Sequence, residues 1–123
     1  MKLAELTKLL KAEVYCGEEK MNSQISYVCA GDLMSDFLVH AEPNSLFVTG
    51  LVNVQVIRTA EMLDIAAVIF IRGKKPTDEM INLAVKKGIP LITTTATMYL
   101  CCGMLYEAGL KNVPLPSVKA KTL

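Results

Sequence analysis

Between residues 45 and 95 the sequence contains three short apolar runs separated by two segments with helical spacing. The apolar runs lie at 45–49, 66–71 and 89–93, and the helical segments lie at 53–64 and 76–87. Apolar runs that alternate with amphipathic helices are typical of parallel strands joined by right-handed crossovers. Because helices cover both faces of such a sheet, its strands need no polar alternation. The alternation therefore predicts an α/β fold built on a mostly parallel sheet.

The segments before this unit are predicted to add elements to the edges of the sheet. Residues 2–11 have the spacing of an amphipathic surface helix, and short strands are predicted at 13–16 and 25–29, on either side of a polar loop at 18–23. Asp32 is predicted to be the N-cap of a helix over 33–41, because its carboxylate can accept amide hydrogens of the first turn.

After the central unit, Thr95 is predicted to cap a helix over 96–108 that ends at Gly109. Pro114 and Pro116 exclude a helix beyond that point and favour an extended segment. A chain of 123 residues is long enough for one hydrophobic core. We therefore predict a single α/β domain over residues 1–110 and an extended C-terminal tail over 111–123.

The spacing of apolar and small residues also predicts which helix faces are buried. The predicted buried residues are Val52, Val56, Thr59, Ala60 and Leu63 in the first central helix, Thr77, Met80, Ile81, Ala84 and Val85 in the second, and Met98, Cys101, Cys102 and Leu105 in the last. Arg58 and Glu61 face away from the first of these stripes and are predicted to pair at i, i+3.

Charge and hydropathy exclude two classes of partner. Thirteen basic and twelve acidic residues leave a net charge of +1, which argues against nucleic-acid binding. No window approaches the roughly 18 uninterrupted apolar residues that a membrane span requires. Lysines interrupt the apolar pattern of residues 2–11, so this segment is predicted to be a helix and not a signal peptide. We expect a cytoplasmic protein without a membrane partner.

The apolar content of 52% and the mean hydropathy of +0.38 exceed what one small sheet and its helices need. Soluble monomers rarely expose a contiguous apolar patch, so the composition favours a homodimer. The predicted contact residues are Tyr99, Leu100, Met104 and Tyr106 of the last helix and Val113, Leu115 and Val118 of the tail.

Four cysteines lie at positions 16, 29, 101 and 102, and none belongs to a Cys-x-x-Cys pair. On a helix, the neighbours Cys101 and Cys102 point roughly 100° apart, so one metal ion would rarely bind both. We interpret all four as reduced thiols packed among apolar side chains. No metal and no other cofactor is predicted.

No catalytic constellation is found in the sequence, and we predict that the chain is not an enzyme. His40 is near the end of a predicted helix and has no nucleophile paired with it. Asp32 and Asp36 are four residues apart and could bind a cation, but a helix cap and a solvated acid account for them.

Three loops are predicted to meet at the carboxyl ends of the parallel strands, where open α/β sheets bind ligands. Each loop leads into a helix N-terminus, whose amide hydrogens favour an anion, and Arg72, Lys74 and Lys75 add positive charge. A nucleotide or another phosphorylated small molecule would suit this arrangement. The predicted ligand-binding residues are Thr49, Gly50, Asn53, Gln55, Arg72, Gly73, Lys74, Thr93, Thr94 and Thr95.

Ordinary turn chemistry is the alternative interpretation of these loops. Single glycines at strand–helix turns and Ser or Thr caps occur in most α/β domains without any ligand. The sequence also contains neither Gly-x-Gly-x-x-Gly nor Gly-x-x-x-x-Gly-Lys-Ser/Thr.

Four runs resemble a DRTGG domain: VTGLVNVQVIRTAEMLDI at 48–65, IFIRG at 69–73, GIPLITT at 88–94 and, as in stand-alone members, AGDLMSD at 30–36. The resemblance covers residues 1 to about 110. It implies a three-layer α/β/α fold with a mixed sheet, similar to the N-terminal domain of HPr kinase/phosphorylase. It also implies self-association and a regulatory or ligand-sensing role, since such domains accompany some phosphotransacetylases and CBS-containing pyrophosphatases.

The sequence departs from the pattern that names the family. The acidic–basic pair after the first central strand is replaced by Leu51 and Val52, and Thr-Gly-Gly after the second is replaced by Ile71, Arg72 and Gly73. HPr kinase carries its phosphate-binding loop in a separate C-terminal domain, and this chain has neither that loop nor room for that domain.

Two functions follow as hypotheses. The first is a non-catalytic, homodimeric regulatory domain that senses a nucleotide or phosphometabolite at the strand ends. The second, suggested by the association of stand-alone members with redox and hydrogenase gene clusters of anaerobes, is an accessory or adaptor protein that holds a partner in a redox complex.

Overall fold

The structure, a computed structural model, describes residues 1–113. The helices in this range are α1 (Leu3–Leu9), α2 (Met34–His40), α3 (Val54–Met62), α4 (Asp78–Lys87) and α5 (Met98–Glu107). The strands are β1 (Glu13–Cys16), β2 (Tyr27–Ala30), β3 (Ser45–Thr49), β4 (Ala67–Phe70), β5 (Leu91–Thr93) and β6 (Lys111–Asn112). A short 3-10 helix at Glu18–Lys20 lies within the predicted polar loop. The remainder of the predicted tail, residues 114–123, lies outside the described residues.

The strands form one sheet in the order β1-β5-β4-β3-β2-β6. β1 is antiparallel to β5, whereas β2, β3, β4, β5 and β6 pair in parallel. The register places Val48 beside Ile69 and Ile69 beside Ile92, so the middle of the sheet is a continuous apolar surface. The predicted mixed, mostly parallel sheet is confirmed.

Helices cover both faces of this sheet. Leu3, Leu6 and Leu10 of the N-terminal region pack with Cys101 and Leu105 of α5 against one face. The other face packs against Phe37 of α2 and against the buried sides of α3 and α4. The rings of Phe37 and Phe47 stack with centroids 4.1 Å apart, a contact worth about 0.5–1.5 kcal/mol beyond burial. The three-layer α/β/α arrangement that the resemblance implied is confirmed.

Two predicted helix starts are wrong. The N-cap residue of α2 is Leu33, and no side chain caps this helix, because the carboxylate of Asp32 bonds elsewhere. The cap of α5 is Thr97, whose side chain accepts from the amide of Leu100, and not Thr95. The later start follows from Ala96, whose amide donates to Thr94 Oγ1 and whose carbonyl accepts from the amide of Arg72, so the chain is still a loop there.

The helix faces differ from prediction at a few positions. Ile57 is fully buried although it was not in the predicted stripe, and Val85 is 63% exposed although it was. Glu61 pairs at 3.0 Å with Lys87 of the neighbouring helix α4, instead of with Arg58 on its own helix. None of the helices within residues 1–113 has the length and apolarity needed to cross a membrane.

Candidate functional site

The carboxyl ends of β3, β4 and β5 meet at one edge of the sheet, which we call the carboxyl edge; it comprises residues 49–53, 71–75 and 93–97. The helix that follows β4 packs on one face of the sheet, and the helix that follows the neighbouring strand β5 packs on the other. In open α/β sheets, ligands bind where two adjacent strands send their helices to opposite faces. The carboxyl edge therefore has the topology of a ligand site.

Backbone hydrogen bonds join the loops that follow β4 and β5. The amide of Arg72 donates to the carbonyl of Ala96, and the amide of Gly73 donates to the carbonyl of Thr94, both at 2.8 Å. Thr93 Oγ1 donates to the carbonyl of Lys74 at 3.0 Å. These amides already have protein acceptors, so a ligand at this point would be bound by side chains more than by the backbone.

Two cationic side chains of the β4 loop converge on Gly50 at the end of β3. Lys74 Nζ donates to the carbonyl of Gly50 at 2.9 Å. The guanidinium of Arg72 is close as well, since a Cβ placed on Gly50 would lie 3.6 Å from Arg72 Nη2. Because residue 50 has no side chain, the space next to Arg72 Nη2 is left open for a ligand atom.

Arg72 has a backbone φ of +54°, in the left-handed region that side-chain-bearing residues avoid at a cost of roughly 1–2 kcal/mol. Asn44 and Asp64 share such angles but tolerate them well, and Lys11 lies just beyond a helix end. A strained, exposed arginine at a strand end is the type of outlier that accompanies functional sites.

The main residue missed as a site component is Asp32. Its Oδ1 accepts from the amide of Gly50 at 2.7 Å and from Thr49 Oγ1 at 3.1 Å. Asp32 follows β2, the strand beside β3, so its position immediately after a strand was the available signal. From the sequence, Asp32 is predicted to cap a helix over 33–41, because its carboxylate can accept amide hydrogens of the first turn.

Most of the remaining predicted residues form hydrogen bonds within their own helix or in the core. Asn53 Oδ1 caps α3 by accepting from the amide of Val56, and Gln55 Nε2 reaches Thr59 Oγ1 on the same helix at 3.5 Å. Thr94 is buried and donates to the carbonyl of Leu10, whereas Thr95 is exposed. The structure therefore brings Thr49, Gly50, Arg72 and Lys74 together most closely.

The four cysteines are free thiols. Burial, with a smaller contribution from Cys102, raises the pKa of Cys101 to about 12, although Cys101 lies in the first turn of α5. Burial, followed by the charge of Asp36, raises the pKa of Cys29 to about 11. Such thiols are poor nucleophiles at neutral pH. Among residues 1–113, no three His, Cys, Asp or Glu side chains are placed to hold a metal ion.

A depression of about 660 Å³ lies at the opposite end of the strands, which we call the amino edge. Its lining includes Lys20, Ser26, Asn44, Glu61, Asp64 and Lys87. Lys87 is paired with Glu61, and the C-terminal ends of α3 and α4, which repel anions, point toward this edge. The depression is large enough for a ligand, but two carboxylates and two helix C-termini make it less favourable for a phosphate than the carboxyl edge.

Comparison with known families identifies the chain. Residues 5–108 match the DRTGG domain family, and the protein therefore belongs to that family. No curated protein sequence matches the chain.

Among solved structures, the fold is similar to the CBS and DRTGG domains of the regulatory region of Clostridium perfringens pyrophosphatase, solved in complex with its activator diadenosine tetraphosphate. The TM-score is 0.71 at 20% identity, and the match covers 85% of this chain and 45% of that one. A likeness at this identity shows the common fold, and this chain spans less than half of that regulatory region.

Proposed function

We propose that this DRTGG domain is a non-catalytic, cytoplasmic regulatory domain that senses a nucleotide or related phosphorylated small molecule at the carboxyl edge. One observation carries the proposal: Arg72 holds a strained left-handed backbone at the topological switch of the sheet, with its guanidinium beside Gly50. A planar guanidinium is suited to bidentate recognition of phosphate oxygens.

The surrounding charges support this assignment. Lys75 is exposed next to the half-buried Lys74, and the N-terminus of α3 adds the positive end of its dipole. Thr49, Gly73, Thr93 and Thr95 complete the proposed contact set. Asn53 and Gln55, at the start of α3, would hydrogen-bond the base or the ribose, and the buried Thr94 holds the β5 loop through its bond to the carbonyl of Leu10.

A nucleotide is the preferred class because the regulatory region of the Clostridium perfringens enzyme binds diadenosine tetraphosphate. By analogy, the ligand of this chain would carry several phosphates joined to a nucleoside, and the carboxyl edge would bind those phosphates. A regulatory domain of this kind binds its ligand without converting it. Turnover of ATP or of diadenosine tetraphosphate by the purified protein would contradict that part of the proposal.

Calorimetric titration with ATP and with diadenosine tetraphosphate tests the site. Arg72→Ala should cost about 1.5–3 kcal/mol of binding free energy, or roughly 10- to 150-fold in Kd, because a charge-assisted hydrogen bond is lost. The control is Arg58→Ala, which removes an exposed arginine from α3 and should change Kd by less than about twofold. Equal losses in the two variants would exclude the site.

We further propose that the working form is a homodimer joined through α5. Tyr99 is 90% exposed, Leu100 is 53% exposed and Tyr106 is 77% exposed, so this helix presents three large apolar side chains to solvent. A second copy could cover them about a two-fold axis, the commonest oligomer symmetry. The neighbouring Met104 is half-buried.

Light scattering at micromolar concentration should give twice the chain mass of 13.4 kDa. Leu100→Asp should return the mass to that of one chain, because a buried carboxylate at the contact has no partner. Leu33→Asp is the matched control, since Leu33 is 59% exposed but lies next to α2, on the other face of the sheet. A monomeric wild type would overturn the dimer, and splitting by Leu33→Asp alone would move the contact to α2.

A further inference from the structure

The end of β3 forms a small set of donors for an oxyanion. The amide of Gly50 and the hydroxyl of Thr49 point to one position, and Arg72 Nη2 lies near Gly50 without forming an ion pair with the group at that position, so it would bind a second oxygen of the same ligand. A hydroxyl, a backbone amide and a guanidinium are the groups that bind a phosphate oxygen in proteins.

In this structure the protein itself fills that position. Asp32 Oδ1 accepts from Gly50 N at 2.7 Å and from Thr49 Oγ1 at 3.1 Å, and it would lie 3.5 Å from a Cβ on Gly50, about as near as the arginine. A carboxylate oxygen and a phosphate oxygen carry the same charge and require the same donors. The two cannot occupy the position together.

We propose that Asp32 is an internal competitor for the ligand's phosphate, so that binding at the carboxyl edge displaces Asp32 and, with it, the start of α2. This inference rests on the proposed function, since it concerns the same site. It assigns to Asp32 an autoinhibitory role and to α2 the role of the element that reports occupancy.

The connections of Asp32 make such a displacement local. The preceding residue, Gly31, is anchored to the sheet because its amide donates to the carbonyl of Val48 at 3.0 Å. Asp32 itself is exposed, and no side chain caps the helix that follows. Release of the carboxylate therefore requires only residues 32–33 to rearrange before α2 is affected.

α2 is suited to transmit the change. It has seven residues and is held to the sheet by one buried side chain, Phe37, which stacks on Phe47. Leu33 at its N-cap and Leu38 and Val39 on the helix itself are exposed. A shift or fraying of α2 therefore alters an apolar surface that a partner domain can contact. Short helices with few buried contacts open at low cost.

Asp32→Asn tests the competition. The amide oxygen still accepts from Gly50 N, so the fold is preserved, but the competing negative charge is removed. The Kd for inorganic pyrophosphate, measured by calorimetry, should fall by at least about tenfold, because the phosphate no longer displaces or opposes a carboxylate. The matched control is Asp36→Asn, which removes the same charge from α2 itself and should shift Kd by less than about threefold.

Hydrogen exchange supplies a second readout that affinity alone does not give. Pyrophosphate should speed exchange of the α2 amides in the wild type, and Asp32→Ala should show the faster exchange before any ligand is added. The exchange of α4, which does not follow Asp32, should stay unchanged in both cases.

The outcomes separate this inference from the proposed function. Pyrophosphate binding that depends on Arg72 but is unchanged or weakened in Asp32→Asn overturns the competitor role and leaves the site intact. Equal tightening in Asp32→Asn and Asp36→Asn also overturns it, as a general charge effect. Binding by Asp32→Asn alone, lost again when Arg72→Ala is added, supports it, whereas no binding by either the wild type or Asp32→Asn removes the site and the inference together.

Discussion

The two edges of the sheet differ in charge and in shape. The amino edge has the 660 Å³ depression, whose two lysines, Lys20 and Lys87, are balanced by the carboxylates of Glu61 and Asp64, and Lys87 is paired with Glu61. The carboxyl edge has Arg72 and Lys74 directed at Gly50 and the N-termini of α3, α4 and α5. A parallel sheet causes this difference, because every crossover helix begins at one edge and ends at the other. Volume alone therefore does not locate an anion site.

The amino edge should tolerate an added side-chain atom less well than the carboxyl edge. Gly17→Ala is therefore expected to cause the largest loss of stability. Gly17 has φ +90°, and a Cβ there would lie 2.5 Å from Pro90 Cα, a backbone atom that cannot move away cheaply. We expect a loss of roughly 3 kcal/mol or more in the free energy of unfolding, from strain plus overpacking. Urea denaturation measures it.

Gly109→Ala is the control for that measurement. Gly109 has φ +102°, but nothing lies within 4 Å of its Cβ position, so only the backbone strain of roughly 1–2 kcal/mol should appear. Equal losses in the two variants would mean that the amino edge adapts to the added methyl group at Gly17 and that backbone strain alone sets the cost.

At the carboxyl edge, the first turn of α5 should be specified by Thr97. Thr97→Ala removes the side chain that accepts from the amide of Leu100, which should cost about 1 kcal/mol of unfolding free energy. Thr95→Ala, two residues earlier and exposed, should cost less than about 0.5 kcal/mol. A larger loss at Thr95 would restore the cap that the sequence alone predicts.

The smallest expected effect is at the paired lysine of the amino edge. Lys87→Ala breaks the ion pair with Glu61, whose side chains are 41% and 47% exposed, so stability should change by less than about 1 kcal/mol. Its Kd for ATP should change by less than about twofold, because the proposed phosphate site lies at the other edge. A tenfold loss of affinity would transfer the proposed site to the depression.

Local pattern was sufficient for most of the elements. The apolar runs of β3, β4 and β5 are where the alternation predicts them, and Gly88, with φ +70°, ends α4 as the sequence indicates. These features depend on neighbours within a few residues, because turn conformation and helix capping are local. The family resemblance extended that prediction to the three layers of the fold.

Only the tertiary structure decided which distant residues meet. The position of β6 beside β2, the antiparallel β1 and the pairing of Glu61 with Lys87 all depend on strand order and helix packing. The same holds for the contact of Asp32 with Gly50, which joins residues 18 apart across neighbouring strands. An aspartate that caps a helix and an aspartate that bonds to a neighbouring strand look alike in a sequence. Asp32 is of the second kind because the fold places the donors of Thr49 and Gly50, at the end of β3, within reach of its carboxylate.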